Sequence, residues 1–139
     1  MNKFGLAVFV LLMAGLTVAA CAPAASGPSV KFSSPTEGAT VSGLFAVKFS
    51  VTGLTLIPAA TPSAAGQGHL HIIVDDNAPP AGQAVPRDDN HIHLGTGASE
   101  YTFAKALTPG KHKLVVVFAD SGHNVTNPPI TDSINITVQ

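Results

Sequence analysis

From residue 29 to the end of the chain, stretches rich in β-branched and aromatic residues alternate with clusters of Pro, Gly, Asn and Asp. No window of this region repeats its apolar residues with the period of an amphipathic helix. Stretches of the first kind are typical of β-strands, and the clusters between them are typical of turns. The pattern therefore predicts an all-β fold.

The predicted strands are short and regularly spaced. Turn-forming clusters such as Pro109-Gly110 and Asn127-Pro128 separate them. About seven short strands in roughly a hundred residues are typical of an immunoglobulin-like sandwich. The strands are predicted at residues 30–33, 44–53, 69–75, 91–94, 101–107, 112–120 and 133–138, with a shorter piece at 40–42.

The first twenty residues have the layout of a secretory signal. A positive charge at Lys3 precedes an uncharged apolar stretch over residues 4–16, and small residues lead to Cys21. The run VAAC at residues 18–21 resembles the lipobox of bacterial lipoproteins. The resemblance implies that residues 1–20 are removed and that acylation of Cys21 fixes the mature chain to a membrane. An uncleaved transmembrane anchor is the alternative, because the apolar stretch approaches the length that spans a bilayer.

Cys21 is the only cysteine, so no intramolecular disulfide can form, and acylation leaves no free thiolate. Both methionines lie within residues 1–20, so the mature protein would have no sulfur ligand for a metal. Residues 21–28 predict a short tether to a single domain over residues 29–139. Ala22 after the cysteine resembles the sorting signal of outer-membrane lipoproteins. We therefore expect an exported protein anchored in the outer membrane, with its domain in the periplasm.

Composition argues against two classes of function. The chain has seven Lys and Arg against eight Asp and Glu, and only 6% of its residues are aromatic. It therefore has neither the basic surface nor the stacking platform of a nucleic-acid-binding protein. A G-x-S-x-G motif and a free cysteine are both absent from the mature sequence. We expect a protein that is not an enzyme, with a metal-dependent enzyme as the alternative.

The histidines are the residues with the clearest chemical capacity. All six lie between residues 69 and 123, and four form two His-x-His pairs, His69 with His71 and His91 with His93. Alternate residues of a strand share a face and lie roughly 6.5 Å apart, so each pair presents two imidazoles on one side. If the two strands are neighbours, four imidazoles converge on a surface that can bind one metal ion.

Aliphatic residues occupy the positions between and beside these histidines, which predicts that the histidines point away from the core. The same outward face would carry Ile73 and Asp75, and the Asp75 carboxylate is expected to orient an imidazole by accepting its N–H. The residues expected to face the core are Leu70, Ile72, Val74, Ile92 and Leu94.

Two further histidines are candidate ligands. His123 follows a predicted strand and can join the site only if its turn folds toward the same sheet. His112 begins a row of core-facing residues and is expected near a sheet edge. Imidazole and carboxylate without sulfur favour Zn²⁺ or Cu²⁺ over Cu⁺. This predicts metal capture, delivery or sensing at the cell envelope.

Three alternatives remain open for the mature chain. The histidines can be polar residues on solvent-facing strands. The acidic stretches 75–77 and 87–90 can bind Ca²⁺, although Asp and Asn clusters are also ordinary turn formers. The domain can also be a structural or adhesive module whose loop at residues 55–68 contacts an envelope protein or glycan, since a fold does not establish a function.

Two resemblances bear on these expectations. The segments LTPGKHKLVVVFADSGHNV and DSINITV are similar to the closing strands of bacterial immunoglobulin-like and fibronectin-like domains, which are antiparallel sandwiches. Together GHLHIIVDD, HIHLGTGASEY, LTPGKHKLVVVFAD and HNVTNPPI resemble a family of small exported bacterial proteins, domain of unknown function 4399, over nearly all of residues 30–139. This resemblance implies the fold, and it brings no assigned activity.

Overall fold

The computed structural model describes residues 27–139. The signal segment, Cys21 and most of the predicted tether lie outside the described residues. Within residues 27–139, no helix is long and apolar enough to cross a membrane. The described strands are β1 (Ser29–Ser34), β2 (Thr40–Val41), β3 (Ala46–Thr52), β4 (Thr55–Leu56), β5 (Gln67–Val74), β6 (His91–Leu94), β7 (Glu100–Thr102), β8 (Gly110–Ala119) and β9 (Thr131–Val138).

These strands form two sheets. The smaller sheet has the order β1-β3-β7, and the larger has the order β2-β9-β8-β5-β4, with β6 also paired to β5. All pairs between the longer strands are antiparallel. The short pairs β2 with β9 and β4 with β5 are parallel. This arrangement confirms the predicted all-β, immunoglobulin-like sandwich, and it places the two His-x-His strands side by side.

The main core lies between the two sheets. Val30, Val47 and Phe49 contribute from the smaller sheet and pack with one side of the larger sheet. Every second residue of β5, β8 and β9 points into this layer, as the period of two in a strand requires. The larger sheet supplies Leu70, Ile72, Val74, Leu114, Val116, Phe118, Ile134, Ile136 and Val138.

One predicted strand was too long and one strand was missed. In place of the strand predicted at 101–107, β7 spans Glu100–Thr102. The Phe103 N–H makes one further backbone hydrogen bond to the Phe45 carbonyl (3.0 Å) with the Phe103 side chain in the core, and the three residues after it are exposed. Strand β4 was not predicted, since its two residues form a short parallel contact with β5 that leaves no alternating pattern.

The outer face of the larger sheet is covered along β5 and the second half of β8, which argues against the alternative that these strands face solvent. Two segments at residues 82–85 and 123–125, here called the cover, pair with each other: the Val85 N–H donates to the His123 carbonyl (2.9 Å) and the Val125 N–H to the Gln83 carbonyl (2.9 Å). Val85 and Val125 pack on that face against Ile73, Val115, Val117 and Ala119, forming a second apolar cluster.

Val125→Ala should therefore destabilise the domain by about 2 kcal/mol, because it removes buried methyl groups and leaves a cavity under the cover. Urea unfolding of the mature chain carrying Cys21→Ser measures the difference. Leu44→Ala is the matched control: Leu44 is 61% exposed, and its truncation should change stability by less than about 0.5 kcal/mol. Equal effects would mean that the cover does not bury the outer face.

Candidate metal centre

Four histidines from three segments meet where the cover lies over β5: His69 and His71 are buried, His123 belongs to the cover, and His93 is exposed. His69 and His71 lie on β5, and His93 on β6 is directly opposite His71. His69 is opposite Ala119, the last residue of β8. The turn that follows β8 folds back over β5 and brings His123 to the same place.

Hydrogen bonds hold the turn in position. The Asn124 N–H donates to Asp120 Oδ1 (2.9 Å), and the His123 N–H donates to the Asp120 carbonyl (2.9 Å). The Ser121 N–H donates to Ser63 Oγ (2.9 Å), which ties the turn to the 55–68 loop. His123 has φ 66°, a left-handed conformation that few non-glycine residues adopt. The turn thus carries an imidazole at a position where glycine would be less strained.

The four rings are nearly equally spaced. All six distances between ring centres lie between 4.8 and 5.6 Å. One candidate ligand nitrogen from each ring lies within 4.8 Å of the other three. The rings therefore surround a common point, rather than forming a row along the sheet.

The two histidines of β5 are deeply buried, with exposed fractions of 0% for His69 and 2% for His71. Their Nε2 atoms are 3.1 Å apart and share one hydrogen bond. His69 Nδ1 is buried and has no hydrogen-bond partner among the described residues. A buried nitrogen without a partner is costly. The metal-free arrangement therefore leaves one buried nitrogen of the cluster without a hydrogen bond.

The electrostatics keep these imidazoles neutral. Burial lowers the pKa of His71 to about 3, and the neighbouring His69, His93 and His123 add to the effect. Burial also lowers the pKa of His69 to about 4, with His93 and His123 contributing. Desolvation lowers the pKa of His93 in the same direction. Unprotonated nitrogens are the form that binds metal ions, so the buried pair needs no deprotonation at neutral pH.

Access to the cluster is from one side. A cleft of about 260 Å³ is lined by His71, His93 and His123, together with Arg87 and His91. His69 does not line it. Glycine at position 95 gives His93 its room, because a Cβ there would lie 2.5 Å from the His93 Cε1 atom.

His91 was expected among the four ligands, and the structure does not bring it into the set. It lies opposite Ile73, two register positions beyond the His71–His93 pair. Its Nδ1 is 2.7 Å from Asp88 Oδ1, and this hydrogen bond lowers the pKa of Asp88. The loop before β6 therefore already holds the His91 ring, and His123 takes the fourth place in the cluster.

Asp75 was expected to orient an imidazole of the cluster, and it instead contacts His112. Asp75 Oδ2 is 2.7 Å from His112 Nδ1, and the Thr108 carbonyl is 2.7 Å from His112 Nε2. Burial alone would lower the pKa of His112, but the hydrogen bonds to Thr108 and Asp75 outweigh it and raise the pKa. Two acceptors on one ring favour the imidazolium form, which does not bind metal ions. His112 therefore fastens the start of β8 to the end of β5, and the expectation that it lies near a sheet edge was wrong, because β8 is an inner strand.

The acidic stretches proposed for Ca²⁺ make turn contacts. Asp88 Oδ1 accepts the Asn90 N–H (2.9 Å), and Asp76 Oδ1 accepts the Asn77 N–H (2.7 Å). Such bonds are usual in Asp-rich turns. The sequence analysis did not identify Arg87 and Gly95 as residues beside the cluster. The position of Gly95, directly after a strand that carries a candidate ligand, is the only sequence feature that could have indicated its role.

Acid should destabilise the metal-free domain as the pH falls from about 6.5 toward 4. In the unfolded chain both β5 histidines protonate near pH 6.5, whereas in the folded protein the pKa is about 4 for His69 and about 3 for His71. Across this window the unfolded state binds more protons, so the free energy of unfolding decreases as the pH falls. Urea unfolding in the presence of chelator at pH 7 and pH 4.5 measures the loss.

The control for this pH dependence is His69→Leu/His71→Leu. It should lose at least about 2 kcal/mol less than the wild-type sequence over the same interval, because each histidine contributes about 1.4 kcal/mol per unit of pKa difference. Parallel losses in the two proteins would contradict the burial of neutral imidazoles.

No curated protein matches the chain. A structure of an endo-β-1,4-mannanase from Thermotoga petrophila matches 84% of this chain at 15% identity with a TM-score of 0.49, and this chain spans 21% of that one. Fibronectin(III)-like modules of CbhA from Clostridium thermocellum match 79% of this chain, and 95% of theirs, at 17% identity with a TM-score of 0.42. The family model "Domain of unknown function (DUF4399)" matches residues 47–139, a span that contains all four clustered histidines, and the chain belongs to this family.

Proposed function

We propose that this protein is a lipid-anchored envelope protein that binds a divalent transition metal through His69, His71, His93 and His123. The observation that carries the proposal is the convergence of four imidazoles, with one nitrogen of each within 4.8 Å of the others. The lowered pKa values of the β5 histidines support it, because the neutral imidazole is the form that binds a metal ion.

The spacing of the rings favours Zn²⁺ over Cu²⁺. In a tetrahedral site with Zn–N distances of about 2.0–2.1 Å, imidazole ring centres lie about 5 Å apart. In a square-planar site, four of the six separations would be about 4.5 Å and the two across the ion would exceed about 6 Å. The observed range of 4.8 to 5.6 Å is closer to the tetrahedral case. Zn²⁺ is therefore the proposed ion, and Cu²⁺ is the competitor.

The proposed role is metal capture, delivery or sensing at the membrane surface. A cleft on one side of the cluster supports reversible exchange of the ion. Acylation of Cys21 consumes the only cysteine of the chain. Metal binding in the mature protein would then depend on imidazole and carboxylate ligands, which suit Zn²⁺ better than Cu⁺.

The mature chain carrying Cys21→Ser should bind Zn²⁺ with a dissociation constant of about 1 μM or tighter in calorimetric titration at pH 7. His123→Gln removes one of four ligands and should weaken binding at least about tenfold. His91→Gln is the matched control from the same cleft, and it should change the affinity less than about threefold.

Two results would contradict this assignment: millimolar affinity in the parent protein, or a larger loss in His91→Gln than in His123→Gln. Unchanged affinity in His69→Ala/His93→Ala would also exclude the cluster as the site. Co²⁺ in place of Zn²⁺ tests the geometry, because a tetrahedral site gives intense visible absorption. The weak absorption of an octahedral ion would exclude the tetrahedral arrangement.

The full-length chain expressed in a bacterium should sediment with membranes and incorporate labelled fatty acid, since the acylated Cys21 thiol anchors it. Cys21→Ser should abolish the label, while Ala22→Ser, which keeps the cysteine, should not. If the Cys21→Ser and wild-type proteins both stay in membranes after an alkaline wash and neither carries label, an uncleaved transmembrane segment is the anchor instead.

A further inference from the structure

His123, a half-buried histidine of the cluster, is already engaged by a cation of the protein itself. Arg87 Nη2 lies 3.2 Å from His123 Nε2. Arg87 is exposed and belongs to the loop between β5 and β6. The same cleft is lined by Arg87 and by three of the four clustered histidines, so the guanidinium lies on the side from which a metal ion can approach.

The chemistry of arginine fixes the direction of this hydrogen bond. A guanidinium has only donors and remains charged, so the lone pair on His123 Nε2 must accept. The proton of the neutral imidazole is then on Nδ1. In the metal-free protein His123 is therefore held as the Nδ1–H tautomer.

This hydrogen bond is incompatible with metal binding through either nitrogen of His123. Coordination through Nε2 needs the lone pair that Arg87 occupies. Coordination through Nδ1 would move the ring proton to Nε2. The Nε2–H and the Arg87 N–H would then be two hydrogen-bond donors pointing at each other. The hydrogen bond must therefore break before His123 becomes a ligand.

We propose that Arg87 is a gate on the metal site, which occupies His123 in the metal-free protein and must withdraw when the ion binds. The inference rests on the proposed function of the cluster. In the metal-free protein the Arg87 guanidinium occupies the His123 imidazole and keeps its ring oriented. An incoming metal ion must therefore compete with Arg87 for His123.

Arg87→Met should increase Zn²⁺ affinity about threefold to tenfold, the range expected for one competing hydrogen bond. It should also accelerate association, because no group has to leave the cleft. Stopped-flow mixing and competition with a chromogenic chelator measure both quantities in the mature chain carrying Cys21→Ser. Lys111→Met is the matched control: it removes the same charge from an exposed position on β8, and it should leave affinity and rate within about twofold of the parent.

The tautomer of His123 gives a readout that requires no metal. Two-bond proton–nitrogen correlation spectra of the metal-free protein should show His123 protonated on Nδ1, and Arg87→Met should shift the population toward the Nε2–H form. A merely structural role of Arg87 would not move this signal. Zn²⁺ should abolish the Nδ1–H signature or the Arg87 contact in the parent protein.

The outcomes separate the two proposals. If Zn²⁺ binds with dependence on His123 but Arg87→Met has the affinity and rate of the parent, the gate is wrong and the metal site stands. If His123 is already the Nε2–H tautomer without metal, the gate is also wrong. If neither protein binds Zn²⁺, the proposed function fails and the gate fails with it. Binding by Arg87→Met alone would support a gate that is closed in the parent.

Discussion

The pairing of the cover with the outer face of the larger sheet determines the rest of the site. The cover joins residues 82–85 to residues 123–125 through backbone hydrogen bonds and seals an apolar cluster against β5 and β8. The same pairing buries His69 and His71 and positions His123 above them. Without it, β5 would carry two solvated imidazoles on a flat surface, and the turn after β8 would have no reason to lie over them.

Burying these imidazoles destabilises the folded state. A polar group taken from water without a hydrogen-bond partner destabilises the folded state, and His69 Nδ1 is such a group. The apolar contacts of Val85 and Val125 on the same face offset part of this cost. Structures tolerate unsatisfied polar groups mainly where function requires them. The close approach of the four imidazoles allows metal binding, and the proposed function gives the unsatisfied nitrogen a reason.

The sequence predicts those features of the site that depend on strand period. Alternation placed His69 and His71 on one face, and the two His-x-His strands are neighbours as expected. Strand period could not choose between His91 and His123 as the fourth ligand. That choice depends on the turn after β8, which carries His123, and on the loop before β6, which holds His91, and these two segments are distant in sequence. The continuous apolar run from Leu114 to Ala119 is a signal of burial on both faces of a strand. Applied to β8, it would have predicted that the outer face is covered.

The arrangement also explains why binding and folding should be coupled here. The four ligands come from β5, from the short edge strand β6 and from the turn after β8, which otherwise are joined mainly by backbone hydrogen bonds. An ion held by all four would cross-link these segments and add its binding free energy to the stability of the folded state. Strand β6 has four residues, and the His123 turn is strained, so these two elements have the least stability of their own. Because local opening begins in such elements, an ion bound as proposed would exchange through the outer ligands His93 and His123, while His69 and His71 on the inner strand β5 would stay in place.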